Sequence, residues 1–357
     1  MFFFLISVFT KHLKNLTIVP NRLVMSLAFA LLFMPLDGTR AQATRGSDQD
    51  EDVVRIESTL VQLNVGVADR AGRSVTNLSP NDFTVYEDDV RQDIINFEPT
   101  MTPFSLVLLL DVSGSTIGFR TTLKQAALRF IDALAPEDRV AVIAFNERTN
   151  VLSTFTTSRD KTAFAISRAE GRGGTELYKA LSFALKQLEG EGKRRKAIVV
   201  LTDGIDSGMR DLDRATVAGM KTDEEALSAI RPEKSPALSS VLDAADRQGV
   251  TIYPLALPSG DPKRIPIPSP SQVAIYSGAR ERLQILADRT GGRLNQIQRL
   301  EDMGRLYAVV AADLRTLYSI SYQSSAKRAR DGRWRSIRIE VANPSLIART
   351  RPGYFAR

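Results

Sequence analysis

The stretch SLVLLLD at 105–111 constrains this chain more than any other. A strand with one wet face alternates apolar and polar residues, whereas a strand covered on both faces reads as a continuous apolar run. This stretch is of the second kind. It leads into a helical pattern with Leu123, Ala126, Ala127, Phe130, Ile131 and Leu134 on one face. The same grammar then repeats. RVAVIAF (139–145), VLSTF (151–155), KAIVVLT (196–202) and VTIYPLAL (250–257) read as strands. Leu177, Ala180, Leu181, Ala184, Leu185 and Leu188 fit a helix of period 3.6. A helix over about 279–290 stops at Gly291-Gly292, a short strand follows, and a last helix covers roughly 300–316. Strands alternating with helices give an α/β fold, a doubly wound, mostly parallel six-stranded sheet.

On both sides of this core the period becomes two. Thr59, Val61, Leu63, Val65 and Val67 alternate with polar or small residues, and strands are expected around Phe83 to Val85 and Ile94 to Phe97. After 317, LYSISYQ, RWRSIRIEV and LIARTR read as three more strands, with Arg330-Asp331-Gly332-Arg333 as a hairpin turn between the first two. Neither flank has enough strands to close alone. The expectation is a β-sandwich built from both, 54–100 and 317–357, with the α/β domain, 103–316, inserted; the alternative is two separate small sheets. Trp334 is expected to pack on the sandwich with arginines beside it.

The first 43 residues read as a signal peptide. LVMSLAFALLFMPL at 23–36 is apolar and short for a membrane span, basic residues precede it, and Ala41-Gln42-Ala43 offers small residues for cleavage. A second apolar piece, MFFFLISVF, opens the chain, so either Met25 is the true start or the two pieces anchor the protein. Residues 44–53 read as a flexible lead-in. The expected location is outside the cytoplasm, periplasmic or extracellular, with membrane contact only if the leader is retained.

Composition excludes several chemistries. The 357 residues contain no cysteine, so disulfides, thiolate metal sites and cysteine nucleophiles are impossible. The one histidine, His12, lies in the leader, which excludes histidine triads and histidine-ligated zinc from the mature chain. The net charge is +7, but no basic stripe is interleaved with aromatics, so nucleic acid is not an expected partner. KRRK at 193–196 reads as a solvated turn before a strand.

The chemistry concentrates where strands end. Asp111 closes the first strand of the sheet, and Ser113 and Ser115 follow in its loop. Gly173-Gly174-Thr175 opens a helix, and Thr202-Asp203-Gly204 ends another strand. Each piece alone is an ordinary turn or cap. Together they place carboxylates and hydroxyls at the sheet edge where open α/β folds bind ligands. Oxygen donors without nitrogen or sulfur suit Mg²⁺, which keeps waters readily; Mn²⁺ is the other candidate.

DVSGS, GGT and TDG resemble the metal-ion-dependent adhesion site of von Willebrand factor A domains, over about residues 103–316. The resemblance implies that Ser113 and Ser115 ligate the metal directly, that Thr175 does so when a ligand is bound, and that Asp111 and Asp203 act mainly through water. It further implies a partner protein that offers an Asp or Glu to the metal, and a last helix, about 300–316, that moves on binding. VQLNVGVADRAGRSVTNLSPNDFTVYED, DGRWRSIRIEV and ARTRPGYF resemble the flanks of a bacterial, exported subgroup of A-domain proteins.

The expected function is therefore a metal-dependent adhesion or protein-binding module of the bacterial cell envelope, not an enzyme. Two alternatives stand beside it: a Mg²⁺-dependent phosphoryl-transfer enzyme, and a structural envelope protein whose metal only stabilises it. Against the enzyme, Ser113 occupies the position where haloacid-dehalogenase-like phosphatases place a second aspartate, and no phosphate-cradling Gly-rich loop is present. Two long segments, 204–235 and 258–275, read as loops leaving strand ends. The proline-rich second one is either a ligand arm or a tolerated insertion. Asp206, Asp211 and Asp213 are either a second cation site or solvated.

Overall fold

A computed structural model of the protein describes residues 60–100, 102–192, 194–324 and 331–356. The leader, the lead-in, Thr59, Lys193 and Arg330 lie outside these residues.

The chain opens with β1 (Leu60–Asp69), β2 (Phe83–Glu87), β3 (Val90–Gln92) and β4 (Ile94–Glu98). The α/β core runs β5 (Phe104–Asp111), α1 (Arg120–Asp132), β6 (Arg139–Phe145), β7 (Thr149–Thr156), α2 (Arg159–Ser167), α3 (Leu177–Glu189) and β8 (Arg195–Thr202). It continues through α4 (Ser207–Thr216), α5 (Asp223–Ala229), α6 (Pro236–Gln248), β9 (Thr251–Ala256), α7 (Pro270–Thr290), β10 (Asn295–Gln296) and α8 (Met303–Arg315). β11 (Leu317–Gln323), β12 (Trp334–Val341), β13 (Leu346–Arg349) and β14 (Gly353–Phe355) close the chain.

The central sheet has six strands in the order β10-β9-β8-β5-β6-β7, with β7 alone antiparallel to its neighbour. Every residue of β5 is buried because its alternate side chains enter two cores. Leu106, Leu108 and Leu110 pack with Phe130 of α1 and Tyr307 of α8, while Val107 and Leu109 pack with Leu181 of α3 and Val241 of α6. Burying each such leucine stabilises the fold by about 1.5–3 kcal/mol. Doubly covered β5 thus fixes Asp111 at its carboxyl end.

The flanking strands form two four-stranded sheets, β13-β1-β11-β4 and β14-β12-β2-β3. Each mixes strands from before and after the core, and Leu63, Val65, Val85, Ile320 and Tyr322 share one apolar interior. The sandwich expectation holds, but the hairpin between LYSISYQ and RWRSIRIEV does not. β11 and β12 lie in different sheets, and the Gly332 N–H donates to the Ala356 carbonyl instead. The Asp-Gly signal is local, and it turns the chain here without choosing the partner strand.

The two long segments are also not simple loops. Asp206 and Thr222 accept N–H bonds from Met209 and Glu225 and so cap α4 and α5. α7 begins at Pro270, not near 279, because Ser269 and Gln272 form a capping box around a proline at the first turn. Nor is Arg195 of the KRRK run solvated: it is buried, and its guanidinium donates to the Leu317 carbonyl at 2.5 Å and to the Thr102 carbonyl. Thr102 and Leu317 stand where the chain enters and leaves the α/β core. Arg195 thus pins both crossings between core and sandwich.

Trp334 packs edge-on against Phe355, with the Arg289 guanidinium over its ring at 4.3 Å. Arg289 and Arg351 both pair with the buried Asp246, at 3.2 and 3.0 Å, and so tie α6 and α7 to the chain's last strands.

Candidate functional site

Asp111, Ser113, Ser115, Thr175 and Asp203 come from three loops at the carboxyl edge of the central sheet, and hydrogen bonds close those loops into a ring. The Gly114 N–H donates to the Gly173 carbonyl at 2.9 Å, which joins the first loop to the second. The Ser207 N–H donates to the Thr175 carbonyl at 2.8 Å, and the Thr175 N–H donates to Ser207 Oγ at 2.9 Å, which joins the second to the third. The Thr202 hydroxyl donates to Asp111 Oδ2 at 2.7 Å, which joins the third back to the first.

Within the ring the polar groups are held from behind. The Ser113 N–H donates to Asp111 Oδ1 at 3.0 Å, and the Thr116 hydroxyl lies within bonding distance of the Asp111 and Ser113 carbonyls. Arg120 donates to the Val112 carbonyl at 2.9 Å. Ser113 Oγ and Ser115 Oγ lie 3.1 Å apart. Asp111 and Asp203 are 0% and 2% exposed, whereas Ser115 faces solvent. The ring is thus buried at its base and open at its rim.

Two glycines make the second loop possible. Gly173 has φ +91°, a region that side chains disfavour, and an added Cβ would meet Glu147 Oε1 at 2.7 Å. A Cβ on Gly174 would meet Ser207 Oγ at 2.8 Å, the atom that positions Thr175.

The electrostatics are unbalanced. Burial, and then the neighbouring Asp203 carboxylate, push the Asp111 carboxyl up to about 7, against the bonds from Ser113 and Thr202. Arg280, the one cationic side chain among the described residues bonded to this pair's backbone, reaches the Asp203 carbonyl at 3.0 Å rather than a carboxylate. Two buried carboxylates that repel each other, beside three hydroxyls, are a donor set that fits a hard divalent cation. No group of three or more His, Cys, Asp or Glu side chains among the described residues could hold a metal ion, so a cation here would depend on the hydroxyls.

Sequence reasoning missed Ser207, Arg280 and Glu147. Ser207 lies three residues past the Thr-Asp-Gly turn, and nothing in its neighbours marks it. Glu147 accepts the Gly174 N–H at 2.8 Å from the β6–β7 connection, which carries no motif. The possible second cation site is overturned. Asp206 caps α4, Asp211 pairs with Arg210 and Arg214 on the surface, and Asp213 is buried in a two-bond pair with Arg282, both bonds 2.7 Å.

Residues 106–205 match the family model of the von Willebrand factor type A domain. The chain carries such a domain, a class that generally mediates protein–protein interaction and is mostly non-enzymatic. Among curated proteins, an uncharacterised protein of Synechocystis is 38% identical over 106 residues, 29% of this chain and 25% of that one. The human voltage-dependent calcium channel subunit alpha-2/delta-2 is 29% identical over 136 residues, 35% of this chain and 12% of that one. These matches therefore span a quarter or less of the relatives' own length. Among solved structures, a von Willebrand factor type A protein from Catenulispora acidiphila aligns with a TM-score of 0.44 at 14% identity, covering 84% of this chain and 64% of that one.

Proposed function

We propose that the protein is an exported, metal-dependent protein-binding module of the cell envelope. In this reading Asp111, Ser113, Ser115, Thr175 and Asp203 hold Mg²⁺ or Mn²⁺. The observation that carries it is the closed ring of loops, which gathers two mutually repelling buried carboxylates and three hydroxyls at one solvent-facing edge. When bound, the cation supplies a Lewis-acidic position for an anionic oxygen, such as a partner's Asp or Glu carboxylate.

The chain's own residues do the rest. Thr202 and the Ser113 N–H occupy both oxygens of Asp111 and fix the carboxylate's orientation. Thr116 and Arg120 brace the serine loop from below. The Ser207 contacts set the position of Thr175 without fixing its hydroxyl to another loop, so this residue can answer to a ligand. α8 is separated from β11 by Thr316 alone, and Arg349 of β13 pairs with Asp313 of α8 at 3.1 Å. A shift of α8 would therefore be passed to the sandwich. No helix among the described residues is long and apolar enough to cross a membrane. Export rests on the leader read from the sequence.

The test is capture of envelope proteins on the immobilised mature chain. Retention with Mg²⁺ that is lost with chelator and in Asp111→Ala supports the reading. Retention indifferent to both would remove the metal from the binding mechanism.

A further inference from the structure

Beside the candidate metal site lies a cavity of about 330 Å³, bounded by the segment after β9, the first turns of α7 and the residues of β10 and just beyond. Its wall carries Lys263, Arg264 and Arg280 against a single carboxylate, Asp261, with Tyr276, Gln296 and Gln298 completing the polar lining.

Two contacts join this cavity to the ring of loops. Arg280 donates to the Asp203 carbonyl at 3.0 Å and to the Leu257 carbonyl. The Ser259 hydroxyl donates to the Ser115 carbonyl at 3.0 Å. The proline-rich segment is therefore fastened to the serine loop, and the cavity opens within one side chain's reach of Asp203.

The two guanidinium groups are held but not neutralised. Arg280 is fixed by the two carbonyls and by stacking on Tyr276 at 4.6 Å. Arg264 donates to the Gln298 carbonyl at 3.0 Å. Asp261 Oδ1 accepts the Lys263 backbone N–H at 3.0 Å, as the cap of a short helical turn. Among the described residues none of the three cations forms an ion pair. A carbonyl orients a guanidinium without cancelling its charge, and a planar guanidinium matches a carboxylate through two parallel bonds.

We propose that this cavity is a second subsite for the same partner, one that takes an acidic side chain a few residues from the carboxylate offered to the metal. The proposal rests on the metal-dependent reading above and deepens it. The occupant is an acidic segment of a protein, presenting two carboxylates at a spacing set by the distance between ring and cavity. The proline-rich segment is then a specificity arm. Two weak contacts on one segment reinforce each other because the second forms at a high effective concentration.

The probes are synthetic peptides Asp-(Gly)n-Glu and their Asp-(Gly)n-Gln controls, with n from about 1 to 6, the few-residue span of the arm. Binding is measured with Mg²⁺ and in metal-free buffer, for wild type, Lys263→Glu, Lys263→Glu with Arg264→Gln, and Asp111→Ala, each checked for cooperative unfolding well above the assay temperature. The expected result is one spacing at which the Glu peptide binds about tenfold or more tighter than its Gln control. That ratio falls to near one in the Lys263 variants, and all Mg²⁺-dependent binding is lost in Asp111→Ala. No preferred spacing, or a ratio that survives the Lys263 variants, overturns the subsite while the metal reading stands. A Glu preference that is independent of Mg²⁺ and of Asp111 but lost in the Lys263 variants upholds the cavity as a carboxylate site and overturns the metal reading. Absence of all binding at millimolar peptide overturns both.

Discussion

Buried aspartate carboxylates sit at opposite edges of the central sheet, Asp246 at one and the Asp111–Asp203 pair at the other, and their surroundings differ in one respect. At the amino edge Asp246 is paired with Arg289 and Arg351, and those arginines bind the sandwich through Trp334, Phe355 and Tyr354. Burial holds the Asp246 carboxyl above its usual range even so, with both arginines pulling it back. At the carboxyl edge Asp111 faces Asp203, and the groups bonded to the Asp111 carboxylate are a backbone N–H and a hydroxyl. A buried carboxylate with its own arginine is a structural tie, complete as it stands. A buried pair without one repels itself, and the proposed cation would offset that repulsion.

The contrast predicts effects of different size and opposite sign. Arg351→Ala leaves Asp246 to Arg289 and is expected to cost about 1.5–3 kcal/mol in urea unfolding, whether or not metal is present. A loss under 1 kcal/mol would mean that water already screens this edge. Gly173→Ala is expected to cost about 1–3 kcal/mol, because its φ is disfavoured for alanine and its Cβ meets Glu147, and to abolish any response to Mg²⁺. Retention of that response would separate the loop from the site. Asp111→Asn goes the other way: in metal-free buffer at pH 8 it relieves the repulsion from Asp203 and is expected to stabilise the protein by about 1–2 kcal/mol. Destabilisation as large as that of Arg351→Ala would show that Asp111 is a structural tie as well. Thr222→Ala should cost only about 1 kcal/mol, the value of the α5 cap, and leave the Mg²⁺ response unchanged.

Legibility in the sequence followed the range of the interaction concerned. β5 could be read from 105–111 because double burial leaves an unbroken apolar run, and α3 because six apolar positions share one face. The five site residues could be placed at the carboxyl edge because each follows or ends a legible strand, or opens a legible helix. α4 and α5 were hidden because polar residues dominate both, although Thr222-x-x-Glu225 carried a capping signal. The pairing of β12 with β2 rather than β11, and the burial of Arg195, depend on partners roughly a hundred or more residues away, and local pattern holds no record of them. Asp213 illustrates the same limit. Its neighbours Asp211 and Arg214 suggest a solvated face, while its partner Arg282 lies on α7, beyond α5, α6 and β9.

The central claim is that the carboxyl edge is completed by a divalent cation. Thermal unfolding of the mature chain in Mg²⁺, Mn²⁺ and metal-free buffer, beside Asp111→Ala and Ser113→Ala, tests it most directly. A ligand that binds only the folded state stabilises it by mass action, by about 2.7 kcal/mol at a hundredfold excess over Kd. The account predicts a rise of the midpoint with either cation in wild type and none in the two variants. A wild-type midpoint unmoved by millimolar cation, or a rise that persists in both variants, would contradict it.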